Sequence, residues 1–161
     1  MGVFFSGEEL VRIAVQNEET GYAFYRKAEE NAKTEPLRSL FRYLAEQEKV
    51  HKEKFLKLKD AVKNPSRSDS SPVWEEINLF IKAMTDSHLF SGVGKNINLS
   101  VRSSDEKSAV DYAIGFEKDT LLFFYQMVDL VRPVDQPMVK TVINEEKEHI
   151  RKLVAIREEL T

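Results

Sequence analysis

The chain has 161 residues, 42% of them apolar and 32% charged, with 24 Lys and Arg against 27 Asp and Glu for a formal charge of −3. That balance fits one compact soluble domain and argues against a binder driven by phosphate contacts, so no nucleic-acid partner is expected. Cysteine is absent, which excludes disulfides, thiolate nucleophiles, iron–sulfur clusters and rubredoxin-type iron sites, and leaves carboxylate and imidazole as the only strong metal ligands.

The opening Met1–Ser6 is too short in its apolar part, and too uncharged, for a signal peptide. No apolar run approaches the roughly 18 residues of a membrane helix, and a cytoplasmic protein without membrane contact is expected. Ser6 and Glu9 form a capping box. Behind it Leu10, Ala14, Gly21, Tyr22, Tyr25, Ala28 and Ala32 recur at helical spacing. Pro36 suits the first turn of a second helix, whose stripe runs through Leu37, Leu40, Phe41, Leu44, Phe55 and Leu58.

A polar stretch from Asn64 to Ser71 breaks the pattern, and Pro72 restarts it. Val73 to Leu89 reads as a shorter helix with Trp74, Ile77, Phe80, Ile81 and Met84 facing inward, and Ser91 to Arg102 as loop. Ser103 and Glu106 form a second capping box, opening a helix that runs to about Val131. Arg132 to Pro137 is a turn with Asp135 as N-cap, and the last helix runs from about Met138 to Leu160. The expected fold is all-α: a four-helix bundle with one long crossover containing an extra short helix.

The two halves repeat. Ala14-Val15-Gln16-Asn17-Glu18 aligns with Ala113-Ile114-Gly115-Phe116-Glu117, and Phe24-Tyr25 with Phe123-Phe124. Glu48-Lys49-Val50-His51 aligns with Glu146-Lys147-Glu148-His149. Each repeated acid stands where an apolar residue belongs. Glu18 lies four residues from Ala14, Glu48 four from Leu44, and Glu146 four from Val142, while Glu117 lies between Ile114 and Leu121. His51 precedes Phe55 by four, and His149 precedes Leu153 by four.

Four carboxylates and two imidazoles therefore point into the core, and no Lys or Arg shares their stripes. An unpaired buried charge costs several kcal/mol, so these groups need a cation. Two divalent ions would balance four carboxylates. Glu-x-x-His puts both side chains on one helix face, and this ligand set suits iron or manganese. Glu19 and Glu145 are the neighbours that a register error of one residue would promote.

This pattern, Glu18, Glu48-x-x-His51, Glu117, Glu146-x-x-His149, resembles the diiron-carboxylate signature of the ferritin-like superfamily. Glu18 to Tyr25 and Leu44-Ala45-Glu46-Gln47-Glu48 resemble its rubrerythrin branch. The resemblance implies that Glu48 and Glu146 bridge two iron ions, or manganese or a mixed pair. Glu18 and His51 are then terminal ligands of one ion, and Glu117 and His149 of the other. It implies an oxidoreductase acting on O₂ or peroxide.

Two departures matter. Peroxide-reducing members carry an additional Glu one helical turn from the third-helix ligand, where Ile114 and Thr120 stand here. They usually also carry a Cys-rich rubredoxin domain, so an electron donor for this chain must be a separate protein. The same site would also serve iron oxidation for storage or detoxification, or act as a structural staple in a non-catalytic interaction bundle.

Tyr22 and Tyr25 read as core aromatics whose hydroxyls reach the bundle edge, with Tyr25 the candidate for a hydrogen bond to the ligands. His88 reads as a helix-end cap, and the lysines from Lys49 to Lys63 as a solvated face. The surplus apolar groups Val3-Phe4-Phe5, Trp74 and Phe90 point to a homodimer.

Overall fold

The apolar periodicity becomes four long helices: α1 over Gly7–Asn31, α2 over Glu35–Leu56, α3 over Glu106–Leu130 and α4 over Gln136–Glu159. The computed structural model describes residues 7–58, 76, 79–80, 82–83 and 105–160. Ser6, Val3-Phe4-Phe5, Trp74, His88, Phe90 and Ser103 lie outside the described residues, as does most of the expected crossover helix. Within that stretch Glu76, Leu79, Phe80, Lys82 and Ala83 are helical.

Local chemistry sets the helix ends. Pro36 occupies the first turn of α2, where a missing N–H costs nothing. At α3 the cap is Asp105 and not the expected Ser103. Asp105 has an extended backbone, and its carboxylate accepts from the Ser108 N–H at 3.2 Å and the Ser108 hydroxyl at 2.7 Å. Asp135 stands at the N-cap of α4 as expected, but its carboxylate accepts from Arg132 Nε at 2.8 Å rather than from the helix.

The core is split into two apolar clusters. One gathers Leu10, Ala14, Phe55, Leu58, Phe123, Phe124, Met127, Val139 and Val142, with their neighbours. The other gathers Tyr25, Ala28, Leu37, Phe41, Leu44, Val110, Ala113 and Leu153. Along α1 and α4 the chain passes from the first cluster to the second, and along α2 and α3 from the second to the first. Each hairpin is thus antiparallel, and α2 is parallel to α3. The end of α2 and the start of α3 therefore lie at opposite ends of the bundle, about 33 Å apart for a helix of α2's length. This is a four-helix bundle with one long crossover.

At each helix's midpoint, between the two clusters, lies the layer of buried polar residues. Tyr22 does not join the core: it sits at the edge of the α1 stripe and is 37% exposed. Among the described residues, no helix is long and apolar enough to cross a membrane.

Candidate metal centre

Glu18, Glu48, His51, Glu117, Glu146 and His149 are all fully buried. They form two overlapping groups whose ligand atoms lie within 4.8 Å of one another: Glu18, Glu48, His51 and Glu146, then Glu48, Glu117, Glu146 and His149. Glu48 and Glu146 belong to both. The two imidazoles face each other nearly parallel, with ring centres 5.5 Å apart. All six residues expected from the repeat are therefore brought to one place.

The atoms converge without satisfying one another. Nδ1 of His51 is 2.8 Å from one Glu146 oxygen, and Nδ1 of His149 is 2.7 Å from the other. Even so, both Nδ1 atoms, both oxygens of Glu18, Glu48 and Glu146, Oε2 of Glu117 and Nε2 of His149 lack an aligned hydrogen-bond partner. Buried polar atoms are almost always hydrogen-bonded, and leaving one unpaired costs about 1–3 kcal/mol, more when it is charged. Ligand atoms packed this closely, without bonds that satisfy them, form two donor sets that a cation in each would satisfy.

The electrostatics follow. Burial, then the charge of Glu146, pushes Glu18 far above the usual carboxylate range, and burial with the charges of Glu18 and Glu146 does the same to Glu48. Glu117 is pushed up to about 7 by burial and by Glu146, against the pull of His149. Burial also works to raise Glu146, but the two imidazoles against its oxygens outweigh it and hold that carboxyl well below the usual range. Burial would lower both histidines. Glu146, Glu48 and Glu145 instead carry His51 to about 9, and Glu117 with Glu146 carries His149 to about 10. Without a cation this cluster balances its charge only with protons. A pair of divalent ions would take their place with the donor set present, and hard carboxylates with imidazole fit iron or manganese.

The surroundings of the six hold residues that the repeat did not reveal. Glu145 accepts from Nε2 of His51 at 2.9 Å and from Lys54 at 2.6 Å, which turns Nδ1 of His51 toward the cluster. Its repeat counterpart is Gln47, and Nε2 of His149 has no partner among the described residues. Glu19 stands apart on the surface, paired with Lys52 at 2.6 Å. The lysines read as a solvated face thus include two that bind carboxylates beside the site.

The Tyr25 hydroxyl does not reach the bundle edge. The residue is fully buried, and its O–H donates to Oε1 of Glu117. Asn17 donates to the Thr120 hydroxyl at 2.8 Å in the buried layer between α1 and α3. Gly21 is there because of contact: a Cβ at this position would lie 2.5 Å from Glu48 Oε2 and 3.0 Å from Phe116.

Comparison with known proteins agrees with this geometry. The rubrerythrin family model matches residues 9–157. A crystal structure from Thermotoga maritima, of a protein assigned to the ferritin-like diiron-carboxylate group, is similar with a TM-score of 0.70 and 30% identity over 98% of each chain. A search of the curated proteins finds no match. With fold, buried cluster and family model in agreement over nearly the whole chain, the protein belongs to the rubrerythrin family.

Proposed function

We propose that this single domain holds two metal ions, iron, manganese or one of each, and works as an oxidoreductase toward O₂ or peroxide. The observation that carries the reading is the set of buried, unpartnered ligand atoms which, among the described residues, belong to Glu18, Glu48, His51, Glu117, Glu146 and His149 alone. Glu48 and Glu146, common to both groups, would hold both ions. Glu18 and His51 complete one position, and Glu117 and His149 the other.

When bound, a ferrous pair supplies two electrons and open positions for a small oxidant. The chain's own part is to fix and shield those positions. The apolar clusters above and below keep bulk water from the carboxylates. Glu145 fixes the orientation of the His51 ring. Tyr25 holds Glu117 through its hydroxyl and places a proton donor beside the centre. Thr120, whose hydroxyl is engaged by Asn17, offers no further carboxylate where peroxide-reducing relatives have one. This domain holds no cysteine and so no thiolate-ligated redox centre of its own, and the reducing electrons would come from outside it.

The test is stopped-flow absorbance of the anaerobic Fe(II)-loaded protein mixed with O₂ and, separately, with peroxide. Oxidation much faster than that of free Fe(II), and lost on Glu48→Gln, is expected. Oxidation no faster than in buffer, with metal demonstrably bound, would remove the oxidoreductase reading and leave a structural metal site.

A further inference from the structure

The bundle's internal repeat makes its two faces comparable position by position, and they differ at the surface above the centre. Between α1 and α2 a cleft of about 370 Å³ is lined by Glu18, Glu19, Tyr22, Glu48, Lys49 and Lys52. Two residues of the buried cluster, Glu18 and Glu48, thus border it, with their carboxylate oxygens just beneath its surface. Next to it, Gly21 lets α1 pack directly against the Glu48 carboxylate, where any side chain would collide. The repeat counterpart of Gly21 on α3 is Thr120, fully buried and tied to Asn17. The cavity on the α3–α4 side, lined by residues such as Tyr125, Lys140, Ile143, Asn144 and Lys147, touches none of the six cluster residues.

Charge at the open side points to one class of visitor. Lys52 is neutralised by Glu19 at 2.6 Å. Lys49, exposed and without a carboxylate partner among the described residues, leaves the rim positive. Once two divalent ions offset these carboxylates, the cleft is a narrow passage with a cationic rim.

We propose that small ligands reach the centre through the α1–α2 cleft beside Glu18 and Glu48, and that Lys49 at its rim favours small anions. This rests on the metal reading above. Tyr22, at the lip, sets the width of the passage, and Lys49 raises the local concentration of anions at its mouth. An electrostatic contribution of this kind acts on the association rate and fades with salt.

Azide is the probe, followed by visible absorbance in stopped-flow against the oxidised, iron-loaded protein, with iron content of every variant measured by elemental analysis. Lys49→Glu is expected to slow azide association about tenfold at low ionic strength, with the difference collapsing at high salt. Tyr22→Trp is expected to slow it at every salt concentration. Lys147→Glu makes the same charge change at the repeat-equivalent position of the other hairpin, and should leave the rate within about twofold of the parent's. Equal slowing by Lys49→Glu and Lys147→Glu, indifference to Tyr22→Trp, or iron-loaded protein that takes up no azide would overturn the proposal. Protein that binds no iron at all would instead overturn the metal reading on which it stands.

Discussion

Glu48 shows how one residue answers to two states of the protein. Burial and the charges of Glu18 and Glu146 raise its carboxyl well above the usual carboxylate range, which favours the neutral acid in the metal-free protein. A glutamine there is close to the same shape and charge. Glu48→Gln should therefore leave the metal-free protein equally or more stable while weakening metal binding by at least tenfold, read by anaerobic calorimetric titration with Mn(II) or Fe(II). Glu19→Gln, one residue along from Glu18 but exposed and paired with Lys52, should change neither. The six core acids and histidines were legible in the sequence because each interrupts an apolar stripe twice, in matching copies. Glu145 was not, and Tyr25 was legible only as a candidate hydrogen-bond partner of the ligands, without the acid it would meet. Glu145 belongs to no stripe, since it reaches His51 from the flank of α4, and Tyr25 is an ordinary core aromatic until α3 brings Glu117 to its hydroxyl.

Among the elements, two helical glycines with opposite surroundings make a controlled pair. Gly115 lies inside α3, and a Cβ there would meet nothing within 4 Å. Gly115→Ala should stabilise the protein by about 0.5–1 kcal/mol, the helix-propensity difference, in urea unfolding. Gly21→Ala gains the same propensity but drives its methyl into Glu48. It should lose metal affinity and show no such gain with metal bound. Equal stabilisation by both would mean that Glu48 does not rest against α1. The four long helices were readable from apolar spacing, Pro36 and the turns between hairpin partners. Helix starts were less so. Asp105 outcompetes Ser103 as the cap of α3 because its carboxylate reaches both the Ser108 N–H and its hydroxyl, a choice that capping patterns alone do not decide.

For the whole molecule the cluster sets how stability depends on pH. Glu117 has its pKa raised to about 7, so its contribution is fully present below the ordinary carboxylate value and lost as pH rises through 7. His51 and His149, raised to about 9 and 10, contribute fully below 6.5 and lose that contribution as pH rises through those values. Glu146 is depressed and acts oppositely, losing its contribution as pH falls below the usual carboxylate range. Metal-free protein should therefore be most stable in mildly acidic solution and weaken steadily from about pH 6 to 10, seen as a falling urea midpoint in the presence of chelator. Metal-loaded protein should resist that decline, because the ions replace the protons being lost. A midpoint that rises with pH in chelator would contradict the arrangement of charges. The apolar groups Val3-Phe4-Phe5, Trp74 and Phe90 lead us to expect a homodimer in light scattering. A monomer would count against a self-association surface, and a many-subunit shell would move the function toward iron storage.

Thermal unfolding under anaerobic conditions, with and without Fe(II) or Mn(II), tests most directly whether the six buried groups hold metal. At a free-ion concentration a thousandfold above the dissociation constant, binding to the folded state stabilises it by about 4 kcal/mol. For a chain of this length that is a rise in Tm of about 10 °C, and it should vanish in Glu48→Gln. A parent protein that melts at the same temperature with and without metal would contradict the metal centre, and with it the proposed oxidoreductase.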